Sequence, residues 1–250
     1  MKRNTLFTFA VVGMLLIAPQ VNADVVLSDN FDRADGSLVP TVPTPGPGGA
    51  WANHSGTPGD LLISSGQVVV QHGAPSEDAH SQFADVTTGT LSANFDITVN
   101  GDVPIIGTDN EYFAHFMTDG SFNFTSRLYV VEANDVNNDY TFGLSVGSGG
   151  STDKFSTDFA YGNQINGTLN YDFGTGLASF TVGSATITSS LAGTESLLNS
   201  FALRQSDSAN NETILVDNLV VSTGTAVPEP GSLAVLGLMG LVGLVQRRRK

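Results

Sequence analysis

Nine consecutive residues constrain the fold more than any other stretch of this chain. Leu91-Ser92-Ala93-Asn94-Phe95-Asp96-Ile97-Thr98-Val99 alternates apolar and polar without a break. Side chains on a strand point to opposite faces with a period of two, so the run predicts a strand with one buried and one wet face. Tyr140-Thr141-Phe142-Gly143-Leu144-Ser145-Val146 repeats the pattern, and shorter runs of the same kind cover 61–63, 67–71, 112–117, 127–132, 168–173, 178–182, 185–191, 201–204 and 213–221. Turn-forming clusters separate them, among them Ser64-Ser65-Gly66 and Asp172-Phe173-Gly174-Thr175-Gly176. No stretch after residue 24 carries a convincing helical period, and parallel βαβ units are excluded for want of crossover helices. The predicted fold is all-β, a two-sheet antiparallel jelly-roll sandwich. It is expected to be flanked by an N-terminal signal helix and a C-terminal hydrophobic helix.

Charge narrows the partners. The chain has 24 Asp plus Glu against 10 Lys plus Arg. Six of those bases sit at the two ends, leaving only Arg33, Arg127, Lys154 and Arg204 between them. So acidic a middle repels nucleic acid and anionic lipid and attracts divalent cations. Cysteine is absent, which excludes disulfides and thiolate chemistry. An exported domain without such staples must be held by its core, and 24–226 is long enough to build one. The 28 glycines fit a turn-rich β protein.

The ends read differently. Lys2-Arg3, an apolar stretch from Leu6 to Ala18 and then Val21-Asn22-Ala23 form a secretory signal peptide over 1–23, with cleavage expected after Ala23. At the other end, Val227-Pro228-Glu229-Pro230-Gly231 precedes a glycine-interrupted apolar run from Leu233 to Val245, closed by Arg247, Arg248, Arg249 and Lys250. As a helix the apolar run covers about 20 Å, short of the roughly 30 Å hydrocarbon core, so it is marginal as a permanent anchor. The basic clusters favour cytoplasmic ends during export, which leaves everything between them outside. Pro228 and Pro230 keep the entry to the segment extended, as a processing enzyme requires.

These three parts in order, with Val227, Pro228, Glu229, Pro230 and the Arg247-Arg248-Arg249 cluster, resemble the PEP-CTERM sorting signal over 227–250. The resemblance implies recognition by an exosortase in the inner membrane, cleavage near Pro228-Glu229-Pro230, and a bacterium that makes extracellular polysaccharide. It implies a cell-envelope, surface or matrix location, with transient inner-membrane anchoring through the C-terminal segment alone.

The region 24–226 carries a second resemblance. Leu27 to Leu38 with Phe31, Asp32, Asp35 and Gly36, then Trp51, then Leu62-Ile63-Ser64-Ser65-Gly66-Gln67, is similar to the concanavalin A-like lectin/glucanase superfamily. Ile214 to Val221, around Asp217, is similar to the last strand of such sandwiches, where first and last strands lie side by side. The proline-rich segment from Val39 to Gly49 cannot be a central strand, since Pro40, Pro43, Pro45 and Pro47 lack ladder donors. It is expected to be a surface loop.

Chemistry is sparser. Jelly-roll glucanases resembling this fold carry Glu-x-Asp-x-Glu or Glu-x-Asp-x-x-Glu, and this chain has neither. Glu132-Ala133-Asn134-Asp135 has the wrong spacing. His54, His72, His80 and His115 share no metal-ligand spacing, although His72 and His80 would meet if the chain between them turned. No nucleophile elbow or phosphate loop is present. Asp135-Val136-Asn137-Asn138-Asp139 has alternating oxygen ligands but puts Tyr140 where a calcium loop needs glycine, so an Asx-rich turn is the favoured reading. The sandwich resemblance implies a structural calcium near the first and last strands, with Asp32 and Asp217 as the carried-over ligands. Exposed aromatics stack on sugar faces, and Trp51, Tyr112, Tyr129 and Tyr161 are the candidate glycan platform, each with an ordinary core role as the competing explanation. Sequons at Asn53, Asn123, Asn166 and Asn211 fit chance in a chain rich in Asn and Thr.

The preferred reading is a non-enzymatic exported surface or matrix protein that binds extracellular polysaccharide, with exosortase as processing partner and calcium as its one cofactor. The alternative is a polysaccharide hydrolase or lyase with a non-standard active site. A third reading, an adhesion module for protein, has no discriminating residue.

Overall fold

The computed structural model describes residues 23–72, 75–107, 111–120, 124–147, 153–190, 195–206 and 212–224. Both terminal segments, with the expected signal helix and C-terminal helix, lie outside the described residues. Among the described residues no helix is long and apolar enough to cross a membrane.

The described chain runs through sixteen strands. In order they are β1 (Asp24–Asp29), β2 (Gly36–Ser37), β3 (Ala52–Gly56), β4 (Leu62–Ser64), β5 (Gln67–Gln71), β6 (Glu77–Val86), β7 (Thr90–Asn100) and β8 (Tyr112–Met117). There follow β9 (Phe124–Val131), β10 (Thr141–Ser145), β11 (Asp153–Lys154), β12 (Gln164–Asp172), β13 (Leu177–Val182), β14 (Ala185–Ser190), β15 (Leu198–Gln205) and β16 (Thr213–Gly224). They form two antiparallel sheets. One has nine strands, ordered β14-β13-β12-β7-β16-β5-β4-β2 with β1 also on β16, and the other seven, ordered β11-β10-β9-β8-β15-β6-β3.

The alternating run at 91–99 becomes β7, the long middle strand of the nine-stranded sheet, with Leu91, Ala93, Phe95, Ile97 and Val99 fully buried. First and last strands are neighbours, as the sandwich resemblance implied: β1 pairs with β16 from Asp24↔Thr223 to Asp29↔Leu219. A bulge between Asp217 and Val220, with Asn218 at φ 51°, divides the free edge of β16 between β5 and β1. Between β4 and β5, Ser65 and Gly66 both take positive φ, as a two-residue hairpin turn of matching twist demands.

The two sheets meet through aromatic rings. Phe95 of one sheet lies 5.7 Å from Phe201 of the other, and Phe142 lies 5.1 Å from Phe180. Each such ring contributes about 1.5–3 kcal/mol by leaving water. Gly167 makes room for this packing, since a Cβ there would sit 2.5 Å from the Phe180 ring. Strand β6 is not evident from alternation in the sequence, because its inward residues are Ala79, Ser81 and Phe83 and its outward ones Asp78, His80 and Gln82.

Candidate functional site

The seven-stranded sheet has an unusual outer face. On β15, Phe201 and Leu203 belong to the main core, so Ala202 and Arg204 point away from it. Ala202 stands between His80 of β6 and His115 of β8, while Arg204 stands opposite Asp78. Farther across, Tyr112 of β8 faces Tyr129 of β9, and Arg127 faces Ser145 of β10. A small second apolar cluster of Tyr112, Met117, Phe124 and Ala202, with Tyr129 against it, sits on this outer side, separate from the main core.

The cluster has depth. At its floor Asp78 is 1 % exposed and His115 is fully buried. Their nearest atoms, Asp78 Oδ2 and His115 Nε2, are 3.8 Å apart, too far for a hydrogen bond. Neither carboxylate oxygen of Asp78 and neither ring nitrogen of His115 has a hydrogen-bond partner among the described residues. Above His115 lie the Phe124 ring at 4.5 Å and the Tyr112 ring, edge-on, at 5.2 Å. The Arg127 and Arg204 guanidiniums both lie over Tyr112, 4.7 and 4.4 Å from its centroid, and Arg127 also covers Phe124 at 5.2 Å. Glu111 holds Arg204 in an ion pair, and Ser206 accepts a hydrogen bond from Arg204 Nη2 at 3.1 Å. Tyr129 packs edge-on to Tyr112 and shares a 3.1 Å hydrogen bond with Ser145.

Burial sets the protonation states. It pushes the Asp78 carboxyl up to about 7, overcoming the attraction of Arg204 and Arg127, with Glu77 adding to the rise. It holds His115 well below its ordinary value, helped by Arg127, Arg204, His54 and His80. Tyr112 is pushed up to about 12, again mainly by burial. His80 is lowered by burial, against the pull of Asp119, whose Oδ1 is 3.2 Å from its Nε2. Near neutral pH the floor is therefore a neutral imidazole beside a carboxyl that still holds much of its proton.

The four residues proposed as glycan platform divide. Tyr112 and Tyr129 belong to this cluster. Tyr161 lies elsewhere, half-buried, stacked on Tyr140 at 5.6 Å with its hydroxyl donating to the Val103 carbonyl at 2.8 Å. Trp51 is fully buried, its Nε1 donating to Asp29 Oδ2 at 2.8 Å. Asp29 also accepts from the backbone N–H of Phe31 and Thr44 and from both terminal nitrogens of Arg33, which places Trp51 in a structural hub with no ring face open to a sugar.

His72 and His80 do not meet. His72 Nδ1 contacts Glu212 at 2.7 Å, whereas the His80 ring lies 5.8 Å from that of His54. The Asp217 carboxyl is raised above its ordinary value, by burial first and then by Asp96, Asp32 and Asp29. Among the described residues no three His, Asp or Glu side chains converge as a metal cluster. A calcium held by this pair would complete its shell from carbonyls and water. The Asp135–Asp139 segment is an Asx turn, with Asp135 Oδ1 accepting from Asn137 N–H at 2.9 Å and Asp158 bonding Asn134, Asp135 and Asn138.

Sequence reasoning did not single out Asp78, His115, Arg127 or Arg204 as a group. The available signal was limited to Arg127 and Arg204, two of the four internal bases, which stand in otherwise largely apolar strand runs; β6, which carries Asp78, has no such pattern.

Residues 226–250 match the PEP-CTERM protein-sorting motif. The motif marks the chain for exosortase-linked sorting to an exported, cell-surface or extracellular location. No curated protein matches the chain in sequence. Among solved structures, the sandwich is similar to a sialidase at TM-score 0.52 and 14 % identity, covering 83 % of this chain and 19 % of that one. It is also similar to the binding domain of botulinum neurotoxin DC, solved in complex with SialylT, at TM-score 0.50 and 12 % identity, covering 79 % of this chain and 47 % of that one. The chain thus spans about a fifth of the sialidase and about half of the neurotoxin chain. At these identities the likeness is one of fold alone, a two-sheet antiparallel β-sandwich.

Proposed function

We propose that this is a non-enzymatic exported protein that reaches the surface or extracellular matrix through exosortase and there binds extracellular polysaccharide on the outer face of its seven-stranded sheet. The observation that carries the binding half is the half-buried Tyr129 with Arg127 and Arg204 on that face, backed by the buried Tyr112 and Phe124 rings. Aromatic rings beside charged donors on a sheet face suit the mixed apolar and hydroxyl surface of a pyranose. In this reading the signal peptide leaves after Ala23, exosortase cuts near Pro228-Glu229-Pro230, and the apolar tail anchors the chain only in transit. A glycan array probed with residues 24–226, in calcium and in chelator, tests the binding half. Retention of a defined glycan class supports it, and an empty array reduces the protein to a structural role. The same two buffers test calcium at Asp32 and Asp217 in thermal melts: chelator should lower the melting temperature of the wild type but not of Asp32→Asn or Asp217→Asn.

A second reading, a polysaccharide hydrolase or lyase with a non-standard active site, is favoured by one observation. Asp78 and His115 put a proton donor and a proton acceptor 3.8 Å apart beneath Tyr112. Release of new chain ends from a polysaccharide panel would support it, and a panel left intact would remove it.

A further inference from the structure

We infer that the Arg127–Arg204 pair over Tyr112 is a recognition site for a single carboxylate-bearing sugar residue, such as a uronate, within an otherwise neutral glycan. This rests on the glycan-binding reading and adds the charge of the ligand to it.

The argument begins with scarcity. Of the four internal bases, Arg33 is paired with Asp29 at 2.7 Å and Lys154 reaches the Ala133 carbonyl at 3.2 Å. Arg204 has Glu111. Arg127 has no carboxylate partner among the described residues; it rests on Tyr112 and Phe124, and its Nε is buried with no hydrogen-bond partner among them. A guanidinium so held keeps its fork of donors in a fixed plane, the geometry that takes a carboxylate through two parallel hydrogen bonds. The two guanidiniums reach the Tyr112 ring from the strands on either side of β8, so a carboxylate held by Arg127 also gains from the positive field of Arg204.

Beneath them, Asp78 sets the charge of the site. It lies 3.8 Å from His115 of β8 and within the electrostatic reach of Tyr112 of the same strand, Arg127 of β9, Arg204 of β15 and Glu77 of its own strand, while His54 and His80 act on His115. Glu77 turns to the other side of β6, where the Gly59 and Leu61 N–H groups bind it, so among the outer-face groups a protonated Asp78 is neutral, Glu111 offsets Arg204, and Arg127 leaves one positive charge in excess. With the proton off, that excess disappears. A carboxylate ligand and the proton on Asp78 therefore favour each other, so affinity rises as pH falls through about 7. His115, already neutral, does not oppose this. The rest of the surface is acidic, with a formal net charge of −14, and repels a densely charged polyanion at long range. An isolated carboxylate set in neutral sugar avoids that repulsion.

The test is calorimetric titration of the full chain in mild detergent with a xylo-oligosaccharide bearing one glucuronate, against the same molecule with its carboxyl reduced to an alcohol. Binding of the acid about tenfold or more tighter than the reduced form, the size of one charge-assisted hydrogen bond, supports the site. Arg127→Gln should erase that ratio, with circular dichroism confirming the fold, and Arg127→Lys should restore only part of it. Between pH 8 and pH 6 the wild-type affinity for the acid should rise by up to about tenfold, from the change in protonated Asp78. In Asp78→Asn it should be high at both pH values. Equal binding of acid and reduced forms overturns this inference and leaves the glycan-binding reading intact. If neither form binds and a glycan array is also empty, the underlying reading falls as well.

Discussion

On the outer face of the nine-stranded sheet, Asp96 accepts amide hydrogen bonds from Gln164, Asn166 and Asn218, each at 2.9 Å. Asn94 beside it reaches Thr168 at 2.9 Å and the Gly167 carbonyl at 3.2 Å. On the outer face of the seven-stranded sheet, Asp78 has no hydrogen-bond partner among the described residues and is nearly sealed under rings and guanidiniums. Both sheets bury their inner faces in the same core. One outer face satisfies its polar groups with its own cross-strand neighbours and stays in water. The other buries polar groups without pairing them, which opposes stability and marks a face shaped for something besides folding.

The largest effect that would sharpen this contrast is at Asp78. Its folded pKa is raised to about 7 from 3.8, so its stability contribution is full below about 4 and is lost as pH rises through about 7. Denaturant unfolding of Asp78→Asn should therefore show a gain over wild type at pH 8 that exceeds its gain at pH 4 by on the order of 4 kcal/mol. If the two gains are equal, the buried carboxyl is not under strain. Next, Tyr112→Ala should cost about 3 kcal/mol by removing the ring that carries both guanidiniums, whereas Tyr112→Phe, which keeps the ring, should cost less than about 1 kcal/mol. Equal losses would mean the hydroxyl, not the ring, organises the cluster.

A smaller effect of opposite pH sign is expected at His115. Its folded pKa is depressed, so its contribution is full above about 6.5 and is lost as pH falls below that value. His115→Leu should flatten the acid side of the stability profile, a difference of about 1–2 kcal/mol at pH 5 in thermal or denaturant melts. An unchanged acid limb would place the loss elsewhere. Smallest of all, Asn94→Ala on the opposite face should fall within about 0.5 kcal/mol of wild type at every pH, because water replaces its exposed hydrogen bonds. A larger loss would erase the distinction between the faces.

The sequence was most informative where a strand serves only the fold. Alternation at 91–99 announced β7 because every inward residue is apolar and every outward one polar. β6 went unseen for the converse reason: its outward Asp78 and His80 are themselves buried, and its inward Ala79 and Ser81 are small, so no hydrophobic stripe remains. Strands that depart from the pattern are where function is to be sought. His54, His80 and His115 share no spacing in the chain, yet the sheet order β8-β15-β6-β3 gathers them near one another, and pairing across a sheet is invisible to local pattern. For Trp51 the competing core role is the one the structure shows, because the Asp29 carboxylate, 22 residues earlier in the chain, anchors its indole. The C-terminal label needed no structure, since its order of prolines, apolar run and arginines is contiguous.

Hydrogen–deuterium exchange of the protein with and without a glucuronate-bearing oligosaccharide compares the two faces in one experiment. The account predicts slowed exchange in β8, β9 and β15 with β7, β12 and β16 unchanged. Protection centred on β7, β12 and β16, or none on β8, β9 and β15 while the sugar is bound, would contradict it.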